Sequence, residues 1–272
     1  MNAFESIILG MVQGLTEFLP ISSTTHLRII PALMCWNDPG AAYTAVIQLG
    51  TVIALLIYFR RDLLVIAKDM WDDSVSGRWN GSGIKLGGGI IAGTFPIAVL
   101  GLLFKDEIEN ELRGLNYIAI SLILFGILLW LSERSKKREL LIEKLGFWQI
   151  QIIGLAQACA LIPGASRSGV TLTAALFIGM NRAEGARFSF LLGIPAVTAA
   201  GIFELKDFLS ANSQIPISIL LLGIISATIS GLFAIDILIK FLKTKTTTIF
   251  SVYRILLGAA MFIYFGSAIA NM

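Results

Sequence analysis

Long apolar stretches separated by short polar ones dominate this chain, and their lengths predict its architecture. Six stretches are long enough, or nearly so, to cross a bilayer: 41–59, 84–104, 115–131, 188–203, 216–241 and 249–269. About 20 apolar helical residues span the hydrocarbon, so the fourth is short for a full crossing. Two further apolar regions, 3–34 and 147–180, are interrupted near their middles by "LPISSTTH" and "LIPGASRSG". Proline cannot continue a helix, and the hydroxyls offer the backbone other partners. Irregular backbone cannot face lipid, so each break is expected inside protein or beside a wet cavity. Both regions read as helix–break–helix hairpins that enter and leave on one side.

The resulting order is hairpin, three spans, hairpin, three spans. The sequence predicts one membrane domain over 1–272, with a first repeat at 1–131 and a second at 147–272. A weak internal match supports the division. Gly10 and Gln13 recur as Gly154 and Gln157, 144 residues later, and Pro20 recurs as Pro163, 143 residues later. Three spans is an odd number, so the second copy is expected to be inverted. Inverted repeats whose broken helices meet near mid-membrane are an architecture that binds small charged groups. The expected fold class is all-α: six transmembrane helices plus two re-entrant hairpins.

Composition sharpens this. Of 272 residues, 56% are hydrophobic and only 14% charged, with mean hydropathy +0.81; soluble domains carry about a quarter charged residues. The first residues lack a basic segment and a cleavage site, so no removable signal peptide is expected. Cys35 and Cys159 form neither a disulfide framework nor a metal site and read as packing residues. "GSGIKLGGG" at 81–89 has neither the dinucleotide nor the P-loop spacing and reads as a loop leading into a helix.

Charge placement orients the chain. If both hairpins return to their side of origin, loops 60–85, 132–146, 181–187 and 240–248 share one face and hold fifteen basic residues, with Arg254 just inside the next span. The opposite face receives four: Arg28, Lys105, Arg113 and Lys206. Basic loops stay cytoplasmic, so both termini are expected outside and the first hairpin opens outward. The basic residues are explained by topology, and no nucleic-acid partner is expected.

Two charges remain at membrane depth, where an ionised group costs roughly 2.5–3.5 kcal/mol and marks a functional site by default. Glu17 precedes the first break, and Arg167 lies in the second. Gln13 and Glu17, four apart, share a helix face. They could hold Mg²⁺ or Ca²⁺ if phosphate oxygens and water completed the shell. His26 follows Ser22, Ser23, Thr24 and Thr25, some of which serve as helix caps. Half-helices beginning after "SSTT" and after "SRS" would aim unpaired N–H groups at an anion, and Arg167 can grip phosphate with two hydrogen bonds. This set suits phosphoryl transfer, where positioning and charge stabilisation do most of the catalysis. A cradle inside the bilayer points to a phosphate carried on a lipid tail.

"QGLTEFLPISSTTH" and "PGASRSGVT" resemble the two signatures of the bacterial undecaprenyl-diphosphatase family, the bacitracin-resistance phosphatases. The likeness extends through "IQLGTVIALLIYFRRDL" and "RFSFLLGIPAV". It implies metal-dependent hydrolysis of a C55 polyprenyl diphosphate to the monophosphate, recycling the carrier lipid for peptidoglycan at the plasma membrane, from a site open to the outer face. It also implies an inverted repeat with two re-entrant hairpins. By position, Gln13 and Glu17 become the acidic/amide pair, Ser23 the better nucleophile candidate beside Ser22 and Thr24, His26 the catalytic histidine, and Arg167 the phosphate-binding arginine flanked by Ser166 and Ser168 with Thr171 nearby. Gln13 stands where many members have glutamate, and Thr25 replaces a common glycine. A β-branched residue tolerates φ > 0 poorly, so the turn is expected not to need it there. Ser23, His26 and water stay open as the attacking group. The membrane lipids and the polyprenyl diphosphate are the expected partners, with a homodimer as the candidate assembly. The competing reading is a lipid-phosphate transporter or flippase using the same anion site.

Overall fold

The computed structural model describes residues 1–109, 114–134, 138–210 and 215–269. Arg113, Lys136 and Lys137, among the basic residues that orient the chain, lie outside them. The described residues are almost entirely helical. In chain order the helices are α1 (Ala3–Phe18), α2 (Ser23–Leu33), α3 (Gly40–Tyr58), α4 (Arg60–Val75), α5 (Gly89–Leu103, continuing a π-helical turn Ile84–Gly88), α6 (Lys105–Glu109), α7 (Leu115–Ser132), α8 (Phe147–Gln157), α9 (Arg167–Phe177), α10 (Arg182–Ser210), α11 (Ile217–Thr244) and α12 (Thr248–Ile269). Among the described residues five helices are long and apolar enough to cross a membrane: Ile84–Leu103 together with α3, α7, α10 and α11; the described apolar part of α12, Thr248–Tyr264, is shorter.

Both interruptions are present. α1 starts with a reciprocal cap, in which the Glu5 N–H donates to Asn2 Oδ1 and the Asn2 N–H donates to Glu5 Oε2, each 2.9 Å; this satisfies two of the donors a helix start leaves free. It ends at Leu19, ahead of Pro20, where the backbone turns extended. α8 runs through a 3₁₀ turn (Ala158–Leu161) and ends before Pro163. The ends of each broken segment lie together. Phe4 meets Trp36 edge-on, 6.2 Å between ring centroids, and Leu140, just ahead of the second segment, bridges to Met180 at its far end: the Leu140 N–H donates to the Gly179 carbonyl and the Asn181 N–H to the Leu140 carbonyl, each 3.0 Å.

Helix pairing follows small residues. α1 lies on α11, with the Gly10 face against the Gly223 carbonyl and Gly14 against Ala227 and Ser230; α8 lies on α5, with Gly154 against Gly93. A methyl group at Gly10 or Gly154 would overlap the opposing backbone. Small residues let apolar helices approach closely where no hydrophobic force drives association, which gives the Gly10–Gly154 recurrence its physical reason. α3 packs on α10 and α11, and α7 on α12.

The four loops that the charge count assigns to one face are tied at one end of the bundle. Buried Glu133, just past α7, accepts from Arg182 Nη2 at 2.9 Å, from Arg138 Nη1 at 2.5 Å and from the Thr247 N–H and hydroxyl at 2.7 and 2.8 Å. Arg187 pairs with Asp62 at 2.7 Å. Burial pushes the Glu133 carboxyl up, but the bonds from Arg182, Thr247 and Arg138 outweigh it and hold it at about 2.

Three expectations change. The 60–85 segment is not a loop: α4 occupies most of it, because charges spaced along a helix leave its partial apolar face invisible to a search for bilayer-length runs. The fourth span is not short: α10 is 29 residues, and the supposed loop 181–187 is mostly its first turns. Cys35 and Cys159 are exposed rather than packed. Arg254 lies just inside α12, as expected, and is fully buried.

Candidate active site at the two breaks

The two breaks use one backbone device. Ser22 (φ 74°, ψ 100°) and Ser166 (φ 67°, ψ 111°) adopt a left-handed conformation and cap the following helices. The Ser22 hydroxyl accepts from the Thr25 N–H at 3.4 Å, and the Ser166 hydroxyl accepts from the Gly169 N–H at 3.2 Å. Positive φ in a non-glycine residue is strained and concentrates at functional sites. Thr25 has no positive φ, in line with its β-branched side chain. Both helices begin earlier than expected, at Ser23 and Arg167, so these two residues open α2 and α9 and their backbone N–H groups lie at helix starts.

The side chains converge on Glu17, which is 7% exposed. Its Oε2 accepts from Ser23 Oγ at 2.7 Å and from Gln13 Nε2 at 3.0 Å; its Oε1 pairs with Arg167 Nη2 at 3.2 Å. Glu17 and Arg167 are thus brought together from opposite halves of the sequence. The backbones are joined as well, since Ser168 Oγ donates to the Glu17 carbonyl at 3.0 Å. Thr171 Oγ1 bonds the Arg167 carbonyl at 2.7 Å and the Ser189 hydroxyl. Gly193 leaves the room that the Arg167 guanidinium fills; a Cβ there would overlap it.

A cavity of about 490 Å³ opens from this cluster. Glu17, Ser22, Ser23, Thr24, Ser166 and Arg167 line its polar end, while small and apolar residues of α3, α5 and α10, among them Ala45, Ala98, Ala196 and Ala200, line the rest. His26, Ser168 and Thr171 are not among the lining residues. His26 Nδ1 is 2.7 Å from the Ser22 carbonyl, which can only accept, so Nδ1 carries the proton; Nε2 then accepts from the Tyr253 hydroxyl at 2.7 Å. Both ring nitrogens are engaged, and the ring stacks on Tyr253 at 5.8 Å.

Tyr253 and Arg254, on α12, are site residues that neither sequence motif contains. Arg254 is 0% exposed and donates to the carbonyls of Pro20 at 3.4 Å, Gly164 at 3.0 Å and Ala165 at 2.8 Å, bridging both breaks. The one signal in the sequence is an arginine within an apolar run, which its nearness to a basic loop disguises.

A resident metal meets a sparse donor set. No group of three or more His, Cys, Asp or Glu side chains converges among the described residues. Yet the Gln13 amide turns its nitrogen to Glu17 and leaves Oε1 buried without a partner. One amide oxygen and one carboxylate fit a hard cation whose remaining ligands are phosphate oxygens and water.

Comparison with known proteins identifies the family of the chain. Residues 6–260 match the family described as Bacitracin resistance protein BacA. A protein named undecaprenyl-diphosphatase from Chlorobium limicola is 48% identical over 272 residues, covering 96% of each chain. Relatives of the same name from Chlorobium phaeobacteroides and Prochlorococcus marinus are 49% and 46% identical, covering 96% and 95% of this chain and 96% and 91% of their own. Matched along nearly its whole length, this chain belongs to the bacitracin resistance protein BacA family.

Proposed function

We propose that the chain hydrolyses undecaprenyl diphosphate to undecaprenyl phosphate and inorganic phosphate at the joined breaks, recycling the lipid carrier for peptidoglycan synthesis and conferring bacitracin resistance. The observation that carries the reading is the Ser23 hydroxyl donating at 2.7 Å to a buried carboxylate whose other oxygen holds Arg167, inside a cavity with apolar walls. A hydroxyl hydrogen-bonded to a base and set beside a cation is the arrangement of an activated nucleophile.

The terminal phosphate enters between the starts of α2 and α9, where N–H groups, helix dipoles and Arg167 stabilise its charge. Ser23 Oγ attacks phosphorus while Glu17 takes the hydroxyl proton, and the bridging P–O bond breaks to release the lipid monophosphate. Glu17 passes that proton to the departing monophosphate, then takes one from the water whose hydroxyl displaces Ser23 from phosphorus to form inorganic phosphate, and returns it to the Ser23 oxygen. His26, engaged on both nitrogens, acts as a positioning group that holds Ser22 through its carbonyl. Gln13 Oε1 and Glu17 would hold Mg²⁺ or Ca²⁺, which when bound would neutralise charge on the phosphate oxygens.

We further propose that α1–α7 and α8–α12 are inverted repeats, with six spans and two re-entrant hairpins. Supporting this, α1 packs on α11 as α8 packs on α5, and α3 packs on α11 as α10 packs on α5. The fifteen basic residues within 60–85, 132–146, 181–187 and 240–248 support a cytoplasmic location for that end, with both termini and the site's opening on the outer face. A homodimer remains a proposal for the assembly.

Phosphate release from a polyprenyl diphosphate by purified protein, with and without divalent metal, tests the reaction. The expected result is metal-dependent release, lost in folded Glu17→Ala. Saturable lipid binding without release, across several metals and tail lengths, would instead identify a lipid-phosphate carrier.

A further inference from the structure

The cavity has a second charged end that the reaction above does not use. Its lining includes two cations, Arg167 at the inner end and Lys105 at the other. Lys105, at the start of α6, pairs with Glu204 of α10 at 3.4 Å and lies 4.5 Å over the Phe203 ring. Both charged side chains are partly buried, Lys105 at 28% and Glu204 at 14% exposure. α10 connects the two ends: Gly193 faces the Arg167 guanidinium, and Ala196, Val197, Ala200, Phe203 and Glu204 continue the same lining face. At 1.5 Å per residue, the step from 193 to 204 covers about 16 Å. That is roughly half of a hydrocarbon core about 30 Å thick, so a site near mid-membrane puts Lys105 close to one interface.

An ion pair is not needed to close an apolar wall, and desolvating it has a cost. It is suited to a group that must wait in neutralised form and then exchange partners. The lysine ammonium is a compact charge on a flexible four-carbon stem. Glu204 compensates it while the cavity is empty, and a diphosphate with more negative charge competes for it on arrival.

We propose that Lys105, held by Glu204, is a second phosphate station at the cavity mouth, where the diphosphate headgroup of the lipid substrate is engaged before it moves inward to Arg167. The proposal rests on the reading of this cavity as the substrate site. The headgroup then travels along α10 between two cations while its tail lies against the alanine-lined walls.

Partner substitutions distinguish a station from a structural latch, because the two predict different signs. Steady-state kinetics on the full chain, with a polyprenyl diphosphate as substrate, would compare Lys105→Gln, Lys105→Arg and Glu204→Gln, each checked by thermal unfolding. Removing the cation should raise KM about three- to tenfold with kcat within about twofold, and weakening the hold on the lysine by Glu204→Gln should lower KM. Lys105→Arg should stay near wild type. Inorganic phosphate as inhibitor separates the sources: an inhibition constant that moves with KM shows that free phosphate uses the station too, and an unchanged one confines it to the lipid headgroup. Either supports the station. KM shifts of the same sign in Lys105→Gln and Glu204→Gln, or changes only in kcat or unfolding temperature, would overturn it. Arg167→Ala run alongside keeps the two readings apart. Wild-type turnover in that variant would remove the site assignment itself, whereas its loss together with same-sign KM shifts would remove only Lys105.

Discussion

The breaks at 19–22 and 162–166 share a backbone and divide the chemistry. Each places a serine with positive φ at the N-cap of a new half-helix. Beyond that they differ. Ser23 opens α2, and Arg167 opens α9. Four residues after Gln13 stands Glu17; four residues after Gln157 stands Leu161. The first break therefore carries a carboxylate and a hydroxyl, and the second carries the cation that pairs with that carboxylate. Two serine-capped helix starts supply the same kind of field, and the different side chains beside them, Glu17 and Ser23 at one and Arg167 at the other, make the pair asymmetric. Gln157 is buried with both amide atoms unpartnered and has no carboxylate four residues on, unlike Gln13, whose nitrogen donates to Glu17.

The division of labour is broken most severely at Ser23. If it is the nucleophile, Ser23→Ala should lower kcat by about 10³-fold or more, read as phosphate release from folded protein, whereas Ser166→Ala, the capping serine of the second break, should lose far less. Next in size is Gly193→Val, which puts carbon where the Arg167 guanidinium sits. Displacing that group should cost about 10–10²-fold in kcat/KM without touching any hydroxyl or acid, measured in the same assay.

A smaller effect comes from the loop end, away from both breaks. Glu133 lies well below the ordinary carboxylate value, at about 2. A depressed carboxyl stabilises the fold above its unfolded value of 4.5 and loses that contribution as pH falls toward 2. Thermal unfolding followed from pH 6 downward should show this loss in the wild type. Glu133→Gln should already be less stable at pH 7, by about 1–3 kcal/mol, and flatter across the acid range. A variant with the wild-type acid profile would show that other carboxyls govern it.

Much of this architecture is legible in the sequence. The spans and both interruptions follow from hydrophobic run length and two prolines, and Glu17 and Arg167 are conspicuous as charges that a bilayer does not tolerate alone. Their pairing is not written in either motif, because it depends on the packing of segments 150 residues apart. α4 is hidden because Arg60, Arg61, Asp62 and Lys68 interrupt its apolar positions. Arg254 and Tyr253 are hidden for a different reason. They act on the breaks from α12, more than 80 residues along the chain from the nearer one, through carbonyls and an imidazole that carry no sequence signature. His26 is conspicuous as the chain's one histidine, yet its Nε2 meets the Tyr253 hydroxyl and it is not among the residues that line the cavity.

The central claim is that two breaks from opposite halves make one phosphate site, and its most direct test is kcat/KM of purified, folded Arg167→Ala with a polyprenyl diphosphate. The account predicts a loss of about 10³-fold or more, although the removed group belongs to the half that carries neither Glu17 nor Ser23. Turnover within a few-fold of wild type would contradict it and leave the first break acting alone.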